Sequence, residues 1–271
     1  MEQGIYLYCM ARSGHLPAHP LEGIGLDGAG PLQVADFRDL AAVWSPVALA
    51  DFCGPETADR LQDLNWIGPR VIRHQQVVVE VMQHSPVLPA RFGTIFSSVA
   101  NLEQVLSRHH DTIAGCLDRL TDKEEWAVKG LLDRPAAKER LFSLKLAREA
   151  PRLAPLAPGK RYFEEQRLRS ACDRELPGWL KEVRLKLWDD LQRQAVETQE
   201  RRLLSREATG HGRDMIFNWV FLLPTAAVDA FQEQIQAAND KYAGYDLWLE
   251  CTGPWPPYSF CPALEEPEVE A

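Results

Sequence analysis

Apolar residues alternate along Gly4 to Ala11, with Ile5, Leu7 and Cys9 on one side and Tyr6 and Tyr8 between them, which predicts a strand buried on at least one face. The Gly/Pro/His-rich stretch from Arg12 to Gly30 ends it, and Ile24 to Leu26 can add a minor strand. Leu32 to Phe37 and Leu40 to Val47 repeat the strand pattern on either side of a charged turn at Arg38-Asp39, so the first part of the chain reads as a small β-meander. A helix can begin between Pro55 and Leu64. A clearer one spans Pro69 to Gln83, where Val71, Ile72, Val78, Val79 and Met82 can share a side, and Pro86 interrupts it. Val87 to Phe96 is extended, with Gly93 at a close approach or bulge. Leu102, Val105, Leu106, Ile113, Cys116, Leu117 and Leu120 recur at helical spacing, predicting one helix from Asn101, its N-cap, to Leu120.

Glu125 to Leu132 alternates again and opens a second domain. Ala136 to Ala150 is helical and is stopped by Pro151, Pro155 and Pro158. Gly159 to about Glu207 is rich in helix formers, with Leu168, Cys172, Leu176, Trp179, Leu180, Val183, Leu187, Trp188 and Leu191 at steps of three or four. Pro177-Gly178 should kink or break this segment. A β-α-β pattern follows: a strand over Met215 to Leu223, a helix over Ala226 to Tyr242 capped by Thr225 and closed by Gly244, and a strand over Tyr245 to Cys251. Sheet plus covering helices makes a ferredoxin-like variant the natural architecture of this half, and α+β the fold class.

Gly253-Pro254-Trp255-Pro256-Pro257-Tyr258-Ser259-Phe260 packs prolines and aromatics so densely that helix and central strand are both excluded. It must run extended with its rings against either the protein's own core or a partner surface. Trp255 and Tyr258 are expected to anchor it on the C-terminal domain.

The chain has 271 residues, a length comfortable for two modest domains. Hydrophobic content of 45% and charged content of 25% are those of a packed globular protein. A net charge of −9 argues against nucleic acid as a partner, because phosphate binding needs clustered Lys and Arg. Glu265, Glu266, Glu268 and Glu270 read as a solvated tail. No run approaches the ~18 apolar residues of a membrane helix, and the N-terminus lacks a basic region before its short apolar strand, which places the chain in the cytoplasm. Cys9, Cys53, Cys116, Cys172, Cys251 and Cys261 show neither CxxC nor finger spacing, so reduced, mostly buried thiols are expected, with no metal site and no disulfide framework.

The sequence holds no GxSxG elbow, Walker loop, HExxH pair or GxGxxG between strand and helix. The glycines from Gly23 to Gly30 lack the Lys-Ser/Thr pair and following helix of a phosphate loop. Arg73 and His74, with His84 and Arg91, are the best candidates for ionic chemistry, since a histidine can act as a base near neutrality. The same side chains can instead bind carboxylates or backbone carbonyls between helix and strand. His109-His110-Asp111 lies on a charged helical face where neighbouring side chains diverge. No catalytic residue and no cofactor is expected. Binding or assembly is the leading function, and an enzyme or small-ligand binder centred on Arg73, His74 and Arg91 is the alternative.

Gly4-Ile5-Tyr6-Leu7-Tyr8, Arg73-His74, Pro86-Val87-Leu88-Pro89-Ala90-Arg91-Phe92-Gly93-Thr94-Ile95-Phe96, Glu125-Trp126-Ala127-Val128-Lys129, Phe217-Asn218-Trp219-Val220-Phe221-Leu222 and the proline-aromatic segment, in that order, resemble the gas vesicle protein GvpL/GvpF family. The likeness leaves out mainly the loop near Pro20 and the acidic tail. It implies an N-terminal α+β domain over residues 1–121, a C-terminal domain of modified ferredoxin-like fold with a long helical segment over 122–263, and an acidic tail over 264–271. It further implies an accessory assembly protein of gas vesicles that contacts the small hydrophobic shell protein and other accessory proteins. Arg73, His74, Arg91, Phe92, Gly93, Trp255, Pro256, Pro257, Tyr258 and Phe260 are the structural or partner-contact candidates.

Overall fold

The computed structural model describes residues 2–16, 23–28, 30–52, 57–206 and 212–264. Cys53, the loop near Pro20, the start of the Pro55 to Leu64 segment and the acidic residues Glu265 to Glu270 lie outside the described residues. The chain divides into two compact units, Met1–Glu124 with Trp255–Ala271, and Glu125–Pro254. The residues after Pro254 therefore group with the first unit, where the sequence placed them on the second domain.

In the first unit β1 (Gln3–Arg12) is the central strand. On one side it pairs with β3 (Leu40–Ala48), which pairs in turn with β2 (Gln33–Phe37). Its other side is shared by β4 (Val87–Pro89) and β5 (Ile95–Phe96), all antiparallel. The register of β1 against β3 shifts between Leu7 and Cys9, leaving Tyr8 as the extra residue of a bulge. A bulge resets side-chain alternation. Tyr6, Tyr8, Cys9 and Ala11 thereby join one cluster, in place of the simple alternation of Ile5, Leu7 and Cys9.

Short helical turns α1 (Leu49–Phe52) and α2 (Thr57–Arg60) precede α3 (Leu64–Met82). Helix α3 starts before Pro69 because Asp63 caps it, accepting from the Asn65 N–H. It buries His74, Val77, Val78 and Val81. Val71 and Ile72, expected on the inner face, are 42% and 60% exposed, so the stripe actually buried runs i, i+3, i+4, i+7 from a polar residue. The expected single helix after Phe96 is two, α4 (Val99–Arg108) and α5 (His110–Leu120), joined at His109. Ser98 rather than Asn101 is the cap, its Oγ accepting from the Asn101 N–H at 3.2 Å.

In the second unit the sheet order is β7-β8-β6-β9, for β6 (Lys123–Leu132), β7 (Glu197–Glu200), β8 (Asp214–Pro224) and β9 (Leu247–Trp255). Helices α6 (Arg134–Leu153) and α7 (Pro158–Gln192) both lie in the connection from β6 to β7, and α8 (Val228–Tyr242) joins β8 to β9. This is the β-α-β-β-α-β pattern of a ferredoxin-like fold enlarged by one helix. Helix α6 runs past Pro151 to Leu153, and α7 is continuous through Pro177. Cys172, Leu176, Leu180, Val183, Leu187 and Leu191 are buried on both sides of that proline, and a stripe of this length outweighs the ~3 kcal/mol that an interior proline costs. The segment after α7, read as helical, instead supplies edge strand β7, paired to β8 from Glu197↔Leu222 to Glu200↔Trp219. A 3₁₀ turn over Thr225–Ala227 leads into α8 with no side-chain cap. The turn after α8 ends on Asp246 in the left-handed region (φ 50°) rather than on Gly244.

The core of the second unit is aromatic. Phe217 and Trp219, both on one face of β8, stack at 3.8 Å, and Phe221 continues the row against Phe231 of α8. Strand β9 is an edge, and it runs on through Gly253, Pro254 and Trp255 as the prolines require.

Candidate functional site

The first unit gathers a polar cluster at the inner face of its sheet. The bulge in β1 aims Tyr6 and Tyr8 at α3, which presents His74 between them, with ring centroids 5.7 Å from Tyr6 and 5.6 Å from Tyr8. His74 Nδ1 lies 2.9 Å from Tyr6 Oη and Nε2 lies 3.1 Å from Tyr258 Oη. Tyr6 Oη also accepts from the Gly93 N–H at 3.2 Å, and neutral His74 donates from one ring nitrogen and accepts at the other, so both phenols are partnered in either tautomer. Tyr8 Oη is 2.9 Å from Ser45 Oγ, another buried polar group.

Burial fixes the charge of this cluster. It pushes the His74 pKa down to about 4, against a weaker upward pull from the Ala90 carbonyl, so the ring is neutral at ordinary pH. Burial likewise raises Tyr6 and Tyr258, which remain phenols. A neutral imidazole wedged between two phenols holds chain segments together. Its charge does not change near neutrality.

The remaining sequence candidates sort around this core. Phe92 packs its ring 6.0 Å from Tyr6 and 5.9 Å from His74. Gly93 adopts φ 89° with open space where a Cβ would stand, so backbone conformation, and not close approach, demands glycine there. The Tyr258 N–H donates to the Pro256 carbonyl at 2.8 Å and the Phe260 N–H to the Pro257 carbonyl at 3.1 Å, a compact turn that aims the Tyr258 hydroxyl inward. Pro256, Pro257 and Phe260 are buried, whereas Trp255 and Tyr258 are 43% and 38% exposed. The Tyr258 hydroxyl thus ties this segment to His74 of the first unit, where the sequence reading placed it on the second.

Arg73, His74 and Arg91 do not converge. Arg73 Nε donates to the Ile24 carbonyl at 2.9 Å and, with the Arg70–Asp27 pair at 3.0 Å, pins the 23–28 loop to α3. Arg91 is exposed and lines a cleft of about 340 Å³ with Leu7, Met10, Phe96, Val105 and Cys261. Among the described residues no three His, Cys, Asp or Glu side chains gather to hold a metal ion, and no helix is long and apolar enough to cross a membrane. His110 bridges Asp39 at 2.6 Å and Asp111 at 3.0 Å.

Sequence reasoning missed two ties. The Arg119 guanidinium donates to the Phe260 carbonyl, and Cys116 Sγ lies 3.9 Å from Cys261 Sγ. Both join residues far apart in the chain, and no local pattern marks them. Tyr6 carried a fainter signal, a phenol in an otherwise apolar strand, which needs a hydrogen-bond partner once buried.

The sequence profile of the gas vesicle synthesis protein GvpL/GvpF family matches residues 4–262. Gas vesicle protein L of Streptomyces sp. (strain CB03234) is 28% identical over 265 residues, covering 96% of this chain and 94% of that protein. Gas vesicle protein F of the same strain is 30% identical over 270 residues, covering 94% and 98%. The crystal structure of gas vesicle protein GvpF from Anabaena sp. PCC7120 shares the fold, with a TM-score of 0.69 over 98% of this chain and 99% of that one at 17% identity. A profile match spanning nearly the whole chain, together with relatives aligned end to end, shows that this chain belongs to the GvpL/GvpF family of gas vesicle proteins.

Proposed function

We propose that the chain is an accessory assembly protein that binds the small hydrophobic shell protein of the gas vesicle, and other accessory proteins, in the cytoplasm and at the growing vesicle. A gas-facing wall must present a surface that water does not wet, so its subunit carries a large apolar face before assembly and aggregates if left alone. A soluble partner with apolar side chains held in solvent can cover that face with no chemical step.

The observation that carries this reading is the pair Tyr162 and Phe163 in the first turns of α7, 58% and 69% exposed with ring centroids 6.0 Å apart. The helices around them are tied by ion pairs between Lys138 and Asp173 and between Arg169 and Glu139, each at 2.7 Å, so the rings project from a braced support. Exposed Arg91, Gly93 and Trp255 are further partner contacts in this proposal. Arg73, His74, Phe92, Pro256, Pro257, Tyr258 and Phe260 serve the fold.

Co-purification with the shell protein tests the proposal, using the unaltered chain and a Tyr162→Ser, Phe163→Ser variant. The unaltered chain should retain the shell protein and the variant should lose most of it while keeping its thermal stability. Failure of the unaltered chain to bind, with normal vesicles in a strain lacking it, would overturn the reading.

A further inference from the structure

We propose that Cys116 and Cys261 form a reactive dithiol site that low-molecular-weight disulfides oxidise, fastening the segment after Trp255 covalently to α5.

Four observations support the site. The two sulfurs are already in contact at 3.9 Å, so a bond of about 2.05 Å needs a closure that a side-chain rotation and a small backbone shift can supply. Cys116 is fixed on the buried face of α5, whereas Cys261 lies beyond the last strand in a stretch with no helix or sheet, so Cys261 is the partner that moves. Cys261 also lines the cleft that Arg91 borders, which gives a small oxidant a path from solvent to its sulfur. Finally, Arg119 Nη2 lies 3.8 Å from Cys116 Sγ while donating to the carbonyl of Phe260, the residue before Cys261. One guanidinium thus ties the residue before Cys261 to α5 and sets positive charge beside Cys116, the sulfur that attacks second as a thiolate.

The chemistry closes on itself. Cys261 gives its proton to water and its sulfur attacks one sulfur of the oxidant RSSR, forming a mixed disulfide and expelling RS⁻. Cys116, deprotonated in turn, attacks Cys261 Sγ, forms the protein S–S bond and expels the second RS⁻. The two cysteines lose two electrons, the oxidant gains them, and the two protons end on the released thiols.

The experiment incubates the full chain with oxidised glutathione, quenches with an alkylating agent and maps the peptides without reduction. The linked Cys116–Cys261 peptide should appear, the thiols titrated after unfolding should fall from six to four, and dithiothreitol should restore them. Cys116→Ser should stop at a glutathione adduct on Cys261, and Cys261→Ser should leave Cys116 reduced. Deuterium uptake across residues 256–264 should drop on oxidation of the unaltered chain and stay constant in Cys261→Ser. The proposal fails if both thiols remain alkylatable, if the adduct on Cys261 persists in the unaltered chain without closing, or if either sulfur pairs with a different cysteine.

Discussion

Asn239 on α8 serves Leu249 on β9 as a neighbouring strand would: its Oδ1 accepts from the Leu249 N–H at 2.7 Å and its Nδ2 donates to the Leu249 carbonyl at 3.1 Å. Strand β9 ends the sheet beyond β6, and the backbone groups of Leu249 that face away from β6 would otherwise be open. Asn239 is 3% exposed and closes that edge from within the fold. Asn239→Leu should leave a buried donor and acceptor without partners and cost about 1–3 kcal/mol for each. Asn239→Asp keeps the acceptor but turns a second carboxyl oxygen on the Leu249 carbonyl in a buried position, so it should cost at least as much. Urea unfolding ranks the three proteins, and equal midpoints would refute the strand-like role.

The segment after Trp255 is tied to α3 through one hydroxyl. Tyr258→Phe keeps the ring and removes the oxygen paired with His74 Nε2, leaving a buried ring nitrogen without that partner, so a loss of about 1–3 kcal/mol is expected. Thermal unfolding of the unaltered chain and the variant measures it, and equal midpoints would show that the hydroxyl holds nothing.

His74 should give the fold a specific acid sensitivity. In the unfolded chain it binds a proton near pH 6.5, and in the folded chain only near 4. Above 6.5 both states are neutral and the contribution of the ring is fully present. As pH falls from 6.5 towards 4 the unfolded state alone takes the proton, so stability declines, by about 3 kcal/mol in total. The difference between the unaltered chain and His74→Gln isolates this effect from the carboxylates. That difference should shrink steadily over the interval in denaturant titrations, and a difference independent of pH would show that the ring titrates alike in the folded and unfolded chain.

Gly130 on β6 faces Phe217 of β8 so closely that a Cβ at this position would overlap the ring. Phe217 is wholly buried and stacked on Trp219, so it has nowhere to retreat. Gly130→Ala should destabilise by about 1–3 kcal/mol through overpacking. The paired variant Gly130→Ala, Phe217→Leu should recover part of the loss, and additive losses in equilibrium unfolding would argue against direct contact.

The alternating and helical patterns along the chain located the strands and helices well, because each of those elements buries one face and the pattern records it. Where the reading failed, a force from outside the local segment had intervened. Pro177 marks a break by local rules, yet the stripe from Cys172 to Leu191 holds α7 straight through it. Val71 and Ile72 are apolar and were assigned inward, whereas the inner face of α3 is set by His74, whose polarity is satisfied by two phenols distant in the chain. Of the site, Arg73, His74, Gly93 and Tyr258 were legible as unusual residues. Their partners were not, because hydrogen bonds across tens or hundreds of residues leave no spacing to read.

The return of residues 256–260 to the first unit makes Glu125–Pro254 an insertion within it. During translation the unit that begins first is therefore finished last: His74 waits for the phenol of Tyr258 until the whole insertion has left the ribosome. A chain released early would display a half-built amino-terminal unit, open to proteases and chaperones, even with the inserted unit already folded.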